Sequence, residues 1–327
     1  MSIGGVLRRT AAGLAVVTLG AMLTSCGGSA AQETEKAGAA VTVTHEFGTT
    51  TVKGAPKRVV ALDQQWTDVL LTMGVKPVGA GSDPRVGKDG RAPWQTALPA
   101  SAKTFPIDLK GPPLETIAAL HPDLILGSFT IPDRAAYEKL AGIAPTVPAI
   151  DARQVERWPD LVRTAGRIFG DAARADRVIA GVNGKVATIR KQMPWLRGKT
   201  FALAQYMVGD SVIAVADPTD GSTVLFNSLG MKQYPALVAE GKKQKEARIS
   251  VSRERLDVLR SDLLMFMVNG GSKEDLKDLP GWGDLPAVRG GSAAVLAYPT
   301  IAGLNVPTPL SVPAALDKVT PALRALR

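Results

Sequence analysis

Apolar and polar residues alternate over Val41-Thr42-Val43-Thr44 and again from Thr49 to Val52, on either side of Phe47-Gly48. A period of two is that of a half-buried strand, so the spacing predicts a β-hairpin. Downstream, short apolar runs alternate with helical patterns: 58–62 then 67–73, 78–81, 114–120 then 124–127, and 134–140 then 146–150. Strands separated by helices of this length predict a parallel sheet with crossover helices. Near residue 158 the texture changes to one helical stretch over 158–169 and, after Gly170 and a capping Asp171, a longer one over 172–193. In the second, Ala175, Val178, Ile179, Val182, Val186, Ile189 and Met193 fall three or four apart but for one adjacent pair, which makes one continuous face. At ~1.5 Å per residue this helix is about 33 Å long, enough to cross the back of two lobes. Alternation then resumes with strands at 200–205 and 212–215, helices at 223–229 and 253–259, and a strand at 263–268. A segment at 276–288 is broken by Pro280 and Pro286, and a strand at 293–297 and a helix at 312–326 close the chain. The expected fold class is α/β: two lobes with mainly parallel central sheets, 41–157 and 194–327, joined by the linking helices 158–193.

The first 40 residues have a different grammar. Arg8 and Arg9 precede an uncharged stretch, Ala11 to Leu23, that ends in Leu23-Thr24-Ser25-Cys26. That order is an export signal, and about 13 residues at ~1.5 Å each fall short of a hydrocarbon core of ~30 Å. Leu23 to Cys26 resembles the bacterial lipobox, which implies cleavage after Ser25 and a lipid on Cys26; the other reading is an ordinary secretory signal with an incidental cysteine. Cys26 is the only cysteine, and lipidation would remove an unpaired thiol from an oxidising compartment. Residues 26–40 lack aromatic and branched aliphatic side chains, so they read as a tether that cannot repay its ordering entropy with burial. The formal charge of +9, of which Arg8 and Arg9 supply two, favours anionic partners. The basic residues are dispersed, the cluster Lys242, Lys243 and Lys245 being the one dense group, which argues against nucleic acid.

Several stretches together resemble a known family. Pro56 to Leu62, Gly74 to Gly79, Leu114 to Leu126 and Ala141 to Val147 in the first half, with Ser252 to Leu256, Asp262-Leu263-Leu264 and Leu279 to Trp282 in the second, are similar to the ferric-siderophore and cobalamin group of periplasmic binding proteins. The resemblance covers nearly all of the chain from Val41 onward. It implies two α/β lobes bridged by one long helix, a ligand held in the shallow cleft between them, little domain closure, and delivery to an ABC permease by a lipid-anchored monomer. The cargo it implies is a ferric siderophore, with a hydroxamate leaned to over a catecholate; haem or cobalamin stays open within the group. The chelator would supply the iron ligands, so neither a cofactor nor a protein metal site is expected.

Ligands of open α/β sheets sit beyond the carboxyl ends of the strands, which nominates Gln64, Gln65 and Trp66 after the strand ending at Leu62. Trp66 could stack on a chelate or pack at a helix start. In the loop Ser82-Asp83-Pro84-Arg85, Arg85 could donate to chelate oxygens or be a solvated surface cation. Lys110 lies near where siderophore binders resembling this chain carry a cation toward the ligand. Phe129 and Thr130 follow the strand through Leu126; Tyr206 and Met207 follow the strand from Thr200, and Asn269 follows Val268. Tyr298 and Asn305 flank the last strand. The Lys242 to Lys245 run is either a cleft rim or a solvated face. Glu115 and Glu254, each read as beginning a helix in its own lobe, could serve the helix dipole; in the family, carboxylates at matching places meet permease arginines.

Enzyme readings fare poorly. Only two histidines exist, His45 and His121, far from the three or four convergent ligands of a zinc site. Gly209-Asp210-Ser211 superficially resembles a serine-hydrolase block, but a lipid-anchored hydrolase would need one of those histidines beside Ser211. Gly270-Gly271-Ser272-Lys273 lacks the spacing of a phosphate loop.

Overall fold

The computed structural model describes residues 40–108, 111–151, 153 and 155–327; Cys26, the signal and tether segments, and Lys110 lie outside the described residues. The hairpin pairs β1 (Val41–His45) with β2 (Gly48–Val52) in antiparallel register. The first sheet follows, made of β3 (Val59–Ala61), β4 (Gly79–Ser82), β5 (Lys103–Pro106), β6 (Leu124–Leu126) and β7 (Thr146–Val147), with α1 (Gln64–Thr72), α2 (Leu114–Ala118) and α3 (Arg134–Ala141) between its strands. All neighbours are parallel and the order is β5-β4-β3-β6-β7. The chain therefore builds outward from β3 in both directions, which opens a crevice where the carboxyl ends of β3 and β6 diverge.

Two helices lead out of this lobe, α4 (Trp158–Ile168) and the 21-residue α5 (Ala172–Gln192). The second sheet contains β8 (Thr200–Met207), β9 (Val212–Val215), β10 (Lys232–Gln233), β11 (Arg248–Val251), β12 (Leu263–Asn269) and β13 (Ala293–Val295). Here β8, β12, β13 and β10 run parallel, while β9 runs antiparallel to both of its neighbours, β8 and β11. Its helices are α6 (Val224–Ser228), α7 (Pro235–Gln244), α8 (Pro286–Arg289), α9 (Tyr298–Asn305) and α10 (Ser311–Arg324). The alternation in the sequence thus yields mixed α/β lobes as expected, but several elements were not legible, among them β5, β10, β11, α7 and α9. Proline at the first position of α7 and the second of α9 marks their starts. The helix expected over 253–259 is only a 3₁₀ turn, Leu256–Leu259.

The same polar device fixes the amino ends of both sheets. Asp123, just before β6, accepts from the backbone N–H groups of Lys57 (2.7 Å) and Arg58 (2.9 Å) ahead of β3, and the Arg58 guanidinium donates to the Leu120 and His121 carbonyls. Asp262, just before β12, accepts from the Thr200 N–H and hydroxyl, both at 2.7 Å. Each carboxylate pins the backbone at or just before the start of the neighbouring strand, so the register of β3 on β6 and of β8 on β12 is set far from the crevice. The family-like motifs around Asp123 and Asp262 are therefore framework, not ligand contacts.

One apolar core runs through both lobes. Trp66 and Leu70 from α1, Leu161 from α4, Val182 from α5, Phe201 from β8 and Leu316 from α10 belong to a single buried cluster. In α5 the buried positions are Ala175, Ile179, Val182, Val186 and Ile189, the face the sequence spacing predicts. Arg174 at its start donates to the Thr72 carbonyl of α1, and Lys185 bonds the Pro313 carbonyl and Asp317 of α10. Bending the lobes apart would expose this shared core at roughly 25 cal/mol per Å², so the packing along α5 resists such bending.

A buried polar hub reinforces the joint. Asp68 of α1 accepts from Trp94 Nε1 (2.8 Å), Gln95 Nε2 (2.6 Å) and the Thr308 hydroxyl (2.5 Å), drawing the segment before α10 onto the first lobe. Burial pushes the Asp68 carboxyl up to about 7, despite those donors, and pushes Glu156 up to about 8. Both are protonated in the folded chain at pH values where the unfolded chain has released those protons. Folding therefore takes up protons at these two groups between about pH 4 and 8, and their contribution to stability is full below that window and is lost as pH rises through it. Unfolding free energies from urea titrations at pH 5 and pH 8.5 should differ by an amount on the order of a few kcal/mol, with the alkaline sample weaker. Asp68→Asn should flatten part of that slope; an unchanged slope would remove Asp68 from the account.

Candidate functional site

The loops at the carboxyl ends of the two sheets face each other across a cleft of about 810 Å³, within the range that holds one small-molecule ligand. From the first sheet come Gln64 after β3, Ser82 to Val86 after β4, Pro106 and Ile107 at β5, and Phe129 after β6. Gly81 makes this crowding possible, because a Cβ there would lie 2.1 Å from the Leu62 carbonyl oxygen. From the second lobe come Gln205 and Met207 of β8, Met267 and Asn269 of β12, Arg248 of β11, and Tyr298, Ala302, Asn305 and Val306 of α9 and its end. A smaller cavity of about 210 Å³ between α4, α5 and α6 is chiefly apolar.

Strand and helix periodicity decide which candidates reach the cleft. On β8, Gln205 and Met207 share one face, while Tyr206 is 3% exposed on the other and packs in the second lobe's own core. The expectation for Tyr206 fails on this parity: two adjacent strand residues cannot face the same groove. On β12 the same rule brings Asn269 into line with Met267, and Asn269 donates to the Met207 sulfur at 3.3 Å. On α1, Gln64 lines the cleft, and the turn of the helix sends its neighbours inward. Trp66 is 0% exposed in the core, the packing reading of that residue. Gln65, also 0% exposed, donates to the Glu156 and Pro307 carbonyls at 3.0 and 3.1 Å and so belongs to the joint. Thr130 is buried as well, its hydroxyl 3.4 Å from Asp63, the capping residue of α1. Burial raises the Asp63 carboxyl although Trp66 N–H, Ser128 N–H and Thr130 all donate to it.

Arg85, Phe129, Met207, Asn269, Tyr298 and Asn305 do line the cleft. Tyr298 and Asn305 are the first and last residues of α9 and do not flank a strand directly. Lys242 and Lys243 lie in the last turn of α7 and Lys245 caps it, a solvated cluster at a helix carboxyl end rather than a cleft rim. Glu115 is exposed in the first turn of α2. Glu254 is exposed in a turn ahead of the 3₁₀ segment, so it begins no helix and the dipole reading does not apply to it. Two polar lining residues escaped the sequence reading. Gln205 follows from Met207 by two residues, and Arg248 heads the alternating run Arg-Ile-Ser-Val, whose Ile249 and Val251 are core.

Each cation of the described cleft already has an internal carboxylate. Arg85 holds Asp83 through Nε (2.9 Å) and Nη2 (2.8 Å) and lies over the Tyr298 ring, 4.4 Å from its centroid. The Tyr298 hydroxyl donates to the same Asp83 at 2.6 Å, joining the loop after β4 to α9 across the groove. Partial burial works against the Asp83 charge, but the Arg85 and Tyr298 hydrogen bonds outweigh it and hold the carboxyl below its usual range. Burial, together with the bond to Asp83, pushes the Tyr298 phenol well above its ordinary value. Arg248 is paired with Asp220 at 3.3 Å, and Asp220 is further fixed by Ser222. The lining is thus polar at a few points, close to neutral, and apolar between them.

The hydrolase geometry is not assembled. His45 bonds Thr50 and the Phe47 N–H inside the hairpin, burial lowering its pKa, and His121 sits in the turn ahead of β6. Ser211 belongs to the β8–β9 turn of the other lobe, with Asp210 at 3.3 Å. Among the described residues no group of three or more His, Cys, Asp or Glu could hold a metal ion, and no helix is long and apolar enough to cross a membrane.

Comparison with known proteins agrees with this architecture. The family model described as "Periplasmic binding protein" matches residues 59–297. The probable siderophore-binding lipoprotein YfiY of Bacillus subtilis is 29% identical over 265 residues, 77% of this chain and 78% of its own. The iron(3+)-hydroxamate-binding protein FhuD of the same organism is 25% identical over 295 residues, 88% of this chain and 89% of its own. A crystal structure of a periplasmic solute binding protein from Mycobacterium smegmatis superposes with a TM-score of 0.75 and 28% identity, covering 88% of this chain and 99% of that one.

Proposed function

We propose that this chain, which belongs to the periplasmic binding protein family, captures a ferric siderophore outside the cytoplasm and hands it to an ABC permease. The observation that carries the reading is the cleft between the two sheets, with its apolar walls and its few donors, Gln64, Arg85, Gln205, Arg248, Asn269, Tyr298 and Asn305. Capture is reversible and involves no bond-breaking. Phe129, Met207 and Met267 pack on the organic shell while the polar groups bond its outward oxygens, and the chelator keeps the iron.

Charge selects the class of chelate. Three hydroxamates, each singly charged, neutralise Fe³⁺, whereas three doubly charged catecholates leave a trianion. A cleft whose arginines are each offset by a carboxylate suits the neutral complex, because a trianion would need uncompensated cations to replace its hydration. One relative's name points the same way, that of a hydroxamate-iron binder, while two others are named for ferric citrate. A lipid on Cys26 would keep the receptor at the membrane. Glu115 and Glu254, exposed one in each lobe, would meet basic residues of the permease.

Calorimetric titration with ferrioxamine, a ferric tris-catecholate, ferric citrate, haem and cobalamin tests the reading. The trihydroxamate should bind one-to-one with a Kd of about 1 µM or tighter, and the catecholate about tenfold or more weaker. Saturable binding of haem or cobalamin alone would transfer the assignment to that cargo. Ester turnover with no chelate binding would return it to a hydrolase.

A further inference from the structure

Asp83 stands out among the cleft residues because it is the single acceptor for two donors on opposite walls. Arg85 grips both its oxygens, at 2.9 and 2.8 Å, and Tyr298 reaches one of them at 2.6 Å from a residue 215 positions away. Arg85 in turn covers the Tyr298 ring at 4.4 Å. None of these bonds serves the core: Arg85 is 63% exposed at its side chain and Asp83 20%. The Tyr298 proton and the Nε edge of Arg85 are committed to Asp83, so a ligand that needs either must first take it from Asp83.

Resting on the receptor reading above, we propose that Asp83 is a resident stand-in for the ligand's oxygens and thereby the residue that sets chelate specificity. In the empty cleft its carboxylate occupies the donors and keeps the two walls in register. A ferric trihydroxamate can displace it, because its carbonyl oxygens accept from Arg85 and Tyr298 while its neutral shell tolerates the freed carboxylate nearby. A trianionic tris-catecholate presents the same acceptors but meets an unpaired negative charge within a few ångströms. Discrimination then comes from a repulsive element against the wrong cargo as much as from attraction to the right one. Arg248 cannot play this part, since its partner Asp220 is only 3% exposed and held from behind by Ser222.

The test compares Asp83→Asn and Tyr298→Phe with the unaltered protein, reading the ratio of affinities for ferrioxamine and a ferric tris-catecholate. Asparagine retains the shape and an acceptor for Tyr298 but not the charge, so the preference for the hydroxamate should shrink about tenfold or more. Tyr298→Phe lowers both affinities and should leave the ratio within about threefold. An unchanged ratio in Asp83→Asn, or a ratio that collapses equally in Tyr298→Phe, overturns the proposal. Should the unaltered protein bind neither chelate, the receptor reading fails, and ultraviolet titration of the tyrosines still decides whether Asp83 holds Tyr298. One high-titrating phenol should move toward its ordinary value in Asp83→Asn; identical titration curves would contradict the triad.

Discussion

Trp66→Ala should lower the unfolding free energy by about 3–5 kcal/mol, the range for truncating a large buried aromatic side chain. Trp66 is 0% exposed and packs in the cluster that links α1, α4, α5 and β8, so the cavity would open where the two lobes share a core. Trp66→Phe should cost much less, because the indole Nε1 has no acceptor in the described structure and its removal forfeits no hydrogen bond. Denaturant titration of both variants, with chelate affinity measured below the transition, separates the two readings of this residue. Packing predicts a large stability loss with affinity within about threefold of the unaltered protein; stacking predicts the reverse.

Arg248→Ala should weaken chelate binding by about 10- to 100-fold, the equivalent of one hydrogen bond to a charged group. The loss has two sources. A donor disappears from the cleft, and Asp220, 3% exposed at its side chain, is left with no guanidinium opposite. The second term is felt by the ligand as repulsion, so the penalty should grow with the chelate's negative charge. Arg248→Ala/Asp220→Asn should recover part of it. If the single variant binds as tightly as the unaltered protein, Arg248 is not a ligand contact and the cleft's donor set must be redrawn.

The difference between Trp66 and Arg248 shows what was legible in the chain. Periodicity of 3.6 gave α5 almost residue for residue, because its buried stripe is long and uninterrupted. The rule that ligands lie beyond strand carboxyl ends led to the loops that line the cleft, and Arg85, Phe129, Met207 and Asn269 follow from it. What it could not supply was direction. Within each loop, one residue of a neighbouring pair faces the groove and the other the core: Gln64 but not Gln65, Phe129 but not Thr130, Met207 but not Tyr206. That choice depends on strand parity and on buried partners such as Asp63 and the Glu156 carbonyl, which come from distant parts of the chain. Arg248 was hidden for another reason. Its strand is an antiparallel edge of four residues, too short for alternation to rise above background. The cross-cleft bond from Tyr298 to Asp83 spans 215 positions, and no local pattern announces it.

The most direct test of the central claim is to locate the iron. Crystals of the protein grown with ferrioxamine and measured at the iron absorption edge should give one anomalous peak between the sheets, bounded by Arg85, Phe129, Gln205, Arg248 and Tyr298, with no protein atom coordinating the metal. An iron peak in the cavity beside α5, or iron ligated directly by side chains, would contradict the account.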